Sequence, residues 1–450
     1  MAINLSTEAE KYALYLPSIQ AGSAINIVSD DDRKLRNVKL PKNLHATDLN
    51  YLDKDNKYWH YKYCLATAAT FKNEARGNAV AYKDADTFVL GDSGGFQIGS
   101  GTLDDTRKWK KYKTDTDKIM SLWRNSEVKR SIIKWLDTSC DYGMTLDMPL
   151  WAMKDKFKNS PFHHLNLQQL TELTEENLKF LQNERGKYGS CKLLNVLQGE
   201  DDAEEAYWYK AVKKYKFEGW AFAGEVGRRG GIYRTVRMFL QLRDDKFLDA
   251  GYDWVHMLGL STMTWCPMLT QIERIIRKSI NSKFKISTDS SSPYYNAGKL
   301  SKYNWLNTYG SNIKTEWSTA AKKFPTGWGF ANSAKRIPLN AAYGKELPKP
   351  LLSPIASMLS VQDLNIRKGE MEKRRFDVFA DEVLINHNAF TYVQSVIKAN
   401  EAVFGAKPTA PQIMMDAVGA LDEIFTATSW KKSLNKHKKL LDAAAKGKNL

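Results

Sequence analysis

Cysteine is scarce in this chain: Cys64, Cys140, Cys191 and Cys266 are the only four in 450 residues. They lie far apart with no CxxC spacing, which argues against a disulfide framework and against a zinc site of the usual kind. No apolar run reaches membrane-spanning length, and no basic-then-apolar leader follows Met1. The expectation is a soluble protein of the reduced cytoplasm, with no membrane partner. Internal repeats and low-complexity stretches are missing too. Acidic residues are in deficit, 51 against 67 basic ones, which leaves a net charge of +16 and a pI near 9.3.

That excess calls for a polyanionic partner, of which nucleic acid is the commonest. Basic residues cluster in Arg107 to Lys113 (RKWKKYK, with Lys110 and Lys111 at its centre), at Arg228, Arg229 and Arg234, and from Lys431 to Lys448. Any single cluster reads more simply as a solvated helix face. Taken together with 13 Trp and 21 Tyr, whose rings can stack on bases, they favour a nucleic-acid groove.

The hydrophobic fraction of 43% is ordinary, and the length suits one large domain with an appendage. The informative stretch is Thr87 to Ser100, TFVLGDSGGFQIGS. Thr87 to Leu90 read as a buried strand, and the strand ends in Gly91, Asp92, Ser93, Gly94 and Gly95. A carboxylate on a glycine turn at the carboxyl end of a strand is where an α/β barrel keeps its chemistry. The glycines let a flat ligand approach the backbone. A turn aspartate capping a helix is the plain alternative.

Recurrence weighs against that alternative. Tyr142 to Leu150 (YGMTLDMPL) carries Asp147, and Lys192 to Glu200 (KLLNVLQGE) ends in Gln198 and Gly199. Gly219 to Glu225 (GWAFAGE), Trp254 to Ser261 (WVHMLGLS) and Phe284 to Ser292 (FKISTDSSS, with Asp289) continue the series. Six short strands with polar or glycine tips, roughly 25 to 55 residues apart, follow the βα rhythm of a parallel barrel. The expected fold is therefore α/β, a (β/α)8 TIM-type barrel over residues 1–340.

The intervening sequence supplies the helices. Asp104 to Thr138 reads as one long helical crossover, Thr171 to Glu184 as a helix capped by Thr171, and Pro267 as a first-turn proline. The segment before Arg76 has no motif; Asp30 to Arg36 resembles a turn, and Lys57 to Cys64 an aromatic strand or helix. Pro348, Pro350 and Pro354 mark a linker-like patch. Beyond it, residues 341–450 read as a helical carboxy-terminal region, either a nucleic-acid clamp or a packing appendage.

The DSGGFQ run at Asp92 to Gln97 resembles the hallmark of the tRNA-guanine transglycosylase superfamily, enzymes that exchange guanine for a 7-deazaguanine without breaking the backbone. The other tips fall in the family's order. Asp147 matches its second base-binding aspartate, Gln198–Gly199 its Gln-Gly pair, Ala223–Gly224 its glycine tip, His256 to Gly259 (HMLG) its Met-Gly tip, and Asp289 its nucleophile. The resemblance spans roughly Phe88 to Pro293. The tRNA enzymes carry a CxCxxC zinc run soon after the nucleophile, whereas here SSSPYYNAGK follows Asp289 and no cysteine follows Cys266. No metal or other cofactor is expected on that ground. The pattern is more similar to the DpdA-type DNA transglycosylases of bacteria and their phages, which insert 7-deazaguanines of the preQ0 type into DNA.

What the resemblance implies is chemically coherent. Exchange with retained configuration needs two displacements and a covalent glycosyl intermediate, with Asp289 as nucleophile. Asp92 serves as acid and then base. Asp147 and Gln198 address the guanine edge, and the backbone at Gly224 its exocyclic side. Gly199, Ser93, Gly94, Gly95 and Met257 complete the expected base pocket. Phe96 either stacks on the base or packs structurally, and His256 is either a buried, hydrogen-bonded residue or pocket lining. Glu225 either lines the pocket or pairs with Arg228 or Arg229. Arg228, Arg229, Lys110 and Lys111 are the expected nucleic-acid contacts. The implied partners are double-stranded DNA with the guanine flipped out and a free 7-deazaguanine base. The same chemistry on tRNA, and a non-catalytic nucleic-acid-binding homologue, are the competing readings.

Overall fold

Eight strands close into a parallel barrel: β1 (Leu14–Ile19), β2 (Tyr63–Thr67), β3 (Phe88–Asp92), β4 (Tyr142–Met144), β5 (Lys192–Leu197), β6 (Gly219–Phe222), β7 (Trp254–Met257) and β8 (Lys285–Ser290). In this computed structural model the described residues are 2–28, 44–71, 77–224, 226–294, 306–307, 336–337, 353–355 and 378–447. Each strand pairs with its successor, and β8 closes on β1 with Asp289 opposite Leu16. The (β/α)8 expectation holds. Asp30 to Arg36, Pro348 and Pro350 lie outside the described residues.

One strand escaped the sequence reading, and a second was left open between strand and helix. All six residues of β1, LYLPSI, are buried, but Pro17 lacks the N–H a central strand needs, which disguises it. Strand β2 emerges from the end of the aromatic KYWHYKYC segment.

Inside the barrel, period-2 alternation stacks side chains in layers. The floor is aromatic. Phe88 of β3 and Trp254 of β7, from well-separated strands, stack with centroids 4.6 Å apart, and Tyr142 of β4 lies 5.1 Å from Trp254. Two residues further along β7 and β8 come His256 and Ser287, and two beyond Ser287 comes Asp289. The same step takes β3 from Phe88 through Leu90 to Asp92. A sealed apolar floor thus puts the polar residues at the carboxyl rim.

The outer helices differ in detail from expectation. The long crossover is broken: Asp104–Trp109, a 3-10 turn at Lys110–Tyr112, α1 (Thr116–Arg124) and α2 (Val128–Ser139). Helix α3 (Leu167–Glu184) starts earlier than read. Its cap is Asn166, in a capping box with Gln169, and Thr171 lies inside with its hydroxyl on Leu167 O at 2.7 Å. Helices α4 (Asp202–Val212), α5 (Gly231–Asp244) and α6 (Cys266–Ser279, with Pro267 in its first turn) follow.

The described helices of the carboxy-terminal region share one core with the barrel. In α7 (Val378–Phe404), Asn386 Oδ1 accepts from Trp59 Nε1 at 3.0 Å, Asn400 Oδ1 from Thr270 at 2.6 Å, and the Tyr392 ring stacks 4.8 Å from Tyr15 of β1. Helix α8 (Gln412–Thr426) packs on α6. Helix α9 (Trp430–Ala445) runs antiparallel to α5: Trp430 Nε1 donates to Asp244 at the foot, and Ala445 O accepts from Thr264 just past β7. Its alanine-rich carboxyl end therefore finishes on the rim side, with the lysines in the half nearer the foot. No helix among the described residues is long and apolar enough to cross a membrane.

Candidate active site

The parallel strands point every tip to one face, and a cavity of about 620 Å³ opens there. Its lining includes Asp92, Gly95, Phe96, Asp147, Gln198, Gly199, Gly224, Arg229, Leu258 and Gly259, together with Trp151 and Glu200.

Asp92 ends β3. Its Oδ1 accepts from Gly94 N at 3.1 Å and its Oδ2 from Thr67 Oγ1, one strand away, at 3.3 Å. Gly94 holds φ +91°, and a Cβ there would stand 2.2 Å from that of Ala69, so glycine is required to turn the chain back over β2. Ser93 is buried and donates to Thr145 O at 3.2 Å, tying β3 to the start of the Asp147 loop. Ser93 and Gly94 shape the turn rather than line the cavity, which corrects their expected place as ligand contacts.

Asp147 stands three residues beyond β4, on a loop pinned from several sides. Asn177 Nδ2 donates to Leu146 O at 3.1 Å and Met148 N to Thr174 Oγ1 at 2.9 Å, both from α3. Gln198 Nε2 donates to Asp147 Oδ2 at 2.8 Å and to Met148 O at 3.0 Å, while its Oε1 accepts from Leu150 N at 3.0 Å. Both amide hydrogens of Gln198 are thus spent on the loop. Gln198 aims Asp147 instead of offering a free donor to a base edge.

Asp289, near the end of β8, is not among the residues lining the cavity and lies behind Gly259, which is. Gly259 N donates to its Oδ1 at 2.6 Å, and His256 Nε2 lies 3.2 Å from the same oxygen. An oxygen accepting from Gly259 is an acceptor toward His256 as well, so Nε2 carries the hydrogen. Nδ1 then accepts from Ser287 Oγ at 2.8 Å, whose own lone pair takes Trp254 Nε1 at 2.7 Å. The chain Trp254–Ser287–His256–Asp289 runs from barrel floor to rim. Oδ2 of Asp289 has no partner among the described residues. His256 and Met257 are fully buried and lie outside the cavity lining; Leu258 and Gly259 are the lining members of that tip.

The electrostatics follow from removing these acids from water. Burial pushes Asp147 up to about 7, with the neighbouring Asp92 charge adding to the rise. Asp92 is also raised, by burial first; the Gly94 N–H opposes this and the Asp289 charge adds to it.

Gly95 admits a Cβ at 3.4 Å from Asp147 Oδ1, so it sits directly under the carboxylate. Phe96 is 59% exposed, and its ring meets Trp151 at 5.5 Å. Gly224 has φ +56° and nothing within 4 Å of where a Cβ would stand, which leaves the cavity open on that side. Arg229 is exposed beside it. Glu225 and the Arg228 side chain lie outside the described residues. Lys110 and Lys111 are on the 3-10 turn after β3 and do not line the cavity. Trp151 and Glu200 were missed; the only signal was an aromatic beyond a strand tip, next to a lysine-rich run.

All four cysteines are free and buried, and burial pushes the thiols of Cys64 and Cys266 up to about 12. Among the described residues no cluster of three metal-ligating side chains forms.

Fold and site together define a (β/α)8 barrel with an acid-lined cavity at its carboxyl rim. No protein-family model matches the chain, and no curated protein matches it. The likeness to the guanine transglycosylases rests on the motif residues alone.

Proposed function

We propose that this protein is a DNA-guanine transglycosylase that exchanges guanine for a 7-deazaguanine base through a covalent glycosyl-aspartate. The observation that carries the proposal is that Asp92 and Asp147 line one cavity and are coupled electrostatically, while Asp289, outside the lining, lies close enough to Asp92 to raise its carboxyl as well. At about 620 Å³ the cavity has room for a purine and its sugar.

Asp289 Oδ2 attacks C1′ of the flipped nucleotide, and the electron pair of the C1′–N9 bond leaves with guanine. Asp92, biased by burial toward its protonated form, gives its proton to the departing base, so guanine leaves neutral. The incoming base then loses its N9 proton to Asp92, N9 attacks C1′, and the Asp289 ester bond breaks. Two inversions retain the configuration. Asp147 Oδ1 accepts from the N–H groups of the guanine edge, and the open side at Gly224 accommodates a substituent on C7.

The DNA assignment is favoured over tRNA by the missing cysteine run after Asp289. The test is incorporation of radiolabelled guanine into DNA and tRNA offered separately. Label in DNA is expected; label confined to tRNA would make the protein a tRNA enzyme. Label in neither would leave a nucleic-acid-binding homologue without catalysis.

A further inference from the structure

We propose that Trp151 and Phe157, with Lys156 and Lys158, form a stacking ledge for the nucleotide next to the exchanged guanine. This rests on the reading of the cavity as a guanine site. The ledge continues the cavity outward. Phe96 and Trp151 both line it, and the Trp151 ring lies 4.3 Å from that of Phe157, which does not. Lys156 Nζ sits 5.0 Å from the Phe157 centroid. Trp151 and Phe157 are each half-buried, with Lys156 and Lys158 exposed.

The ledge is built rather than incidental. Gly99 lies under Trp151, where a Cβ would come within 2.9 Å of the indole, so the ring is seated on bare backbone. Lys154 is tied to Glu200, which joins the ledge to the β5 tip. Lys113 Nζ donates to Lys158 O at 2.9 Å, bringing the RKWKKYK segment alongside. Lys110 and Lys111, which do not line the cavity, belong to that segment.

The physical need is specific. Flipping a base out of a strand strips its neighbours of a stacking face. An aromatic ring that replaces that face returns about 1–3 kcal/mol, and it does so whatever the neighbouring base. Lysines around the ring neutralise the adjoining phosphates and add salt dependence. A ledge of this kind grips the strand without reading its sequence.

The test uses the full chain and duplexes that contain a single guanine with 2-aminopurine on one side or the other. Wild-type protein is expected to quench one of the two probes. Trp151→Ala should abolish that quenching and weaken DNA binding about tenfold, with Trp151→Phe restoring most of both and showing that the loss is not unfolding. Phe157→Ala and the Lys156→Ala/Lys158→Ala pair should raise the KM for DNA more than the KM for free guanine, and the lysine pair should flatten the salt dependence. Unchanged DNA affinity in all these variants would overturn the ledge. So would equal loss of free guanine and DNA. If the wild type binds and quenches but exchanges no labelled guanine, the ledge stands and the transglycosylase reading falls. If it binds no DNA, the ledge falls as well.

Discussion

His256 holds Asp289 from below: its Nε2 lies 3.2 Å from Oδ1, while Gly259 N reaches the same oxygen from the neighbouring tip at 2.6 Å. Two donors on one oxygen fix the carboxylate plane and leave Oδ2 for attack. His256 is fully buried and touches no cavity surface, so it is a positioning residue. His256→Leu removes a hydrogen bond to a charged group, worth about 1.5–3 kcal/mol. The expected result is a kcat lowered by roughly 10- to 100-fold, with the KM for nucleic acid little changed. Steady-state exchange kinetics check this, and an unaltered kcat would show that Gly259 alone suffices.

Asp289 itself admits a sharper test. Asn at this position keeps an oxygen to accept from Gly259 but has no nucleophilic carboxylate. Asp289→Asn should abolish exchange while holding DNA affinity within about twofold, since the residue lies behind the lining and not at the phosphate-facing rim. Wild-type protein mixed with DNA and denatured before the second displacement should carry a covalent DNA adduct on a gel, and the variant should not. Retained exchange in the variant would remove Asp289 from the nucleophile's role.

The acidity of Asp147 makes two pH-dependent predictions. Its carboxyl, raised to about 7 in the fold against 3.8 when unfolded, binds more protons folded than unfolded between those values. Stability contributed by this group therefore falls as pH rises from 3.8 to about 7. At pH 8 the buried charge costs on the order of 4 kcal/mol. Asp147→Asn should raise the melting temperature at pH 8 by a few degrees and leave it nearly unchanged at pH 4. Base binding runs the other way, because the ionised carboxylate accepts from the guanine edge more strongly, and at both oxygens, than the protonated acid. Affinity for free guanine should strengthen as pH rises toward 7 and then level off, a dependence that calorimetric titration would record and that Asp147→Asn should lose.

Much of this arrangement is legible in the sequence because tips carry their own punctuation. Asp92, Asp147 and Asp289 each follow a short apolar run, and a parallel barrel sends all such ends to one face. What could not be read depends on where strands stop and which way side chains point. Strand β4 ends at Met144, so Asp147 rides on a loop whose bracing by Gln198, Asn177 and Thr174 comes from two separate segments, the β5 tip and α3. In the HMLG tip, alternation carries His256 inward to Asp289, and the cavity is lined only after the strand has ended, by Leu258 and Gly259. Strand β1 was hidden by Pro17. Trp151 has no motif around it, and its role appears only when Phe96, Phe157 and Gly99 are brought to it.

The carboxy-terminal helices complete the barrel's outer wall, and cutting the chain after residue 340 should therefore be ruinous. Loss of α7 leaves Trp59 Nε1 and Leu49 O without Asn386, and Thr270 without Asn400. Each such orphaned buried group costs about 1–3 kcal/mol. Val393, Leu421, Ile424, Leu434 and Leu441 are buried side chains of α7, α8 and α9. Their burial is worth about 1.5–3 kcal/mol apiece, so five of them alone match the whole stability of a typical domain, about 5–15 kcal/mol. The truncated chain is expected to aggregate, or to lose cooperative melting and exchange together. The milder Asn386→Leu variant should stay folded with a melting temperature several degrees lower, because it strands Trp59 and Leu49 O but keeps the helix. A truncated chain that melted cooperatively and still exchanged guanine would make residues 341–450 a separable appendage.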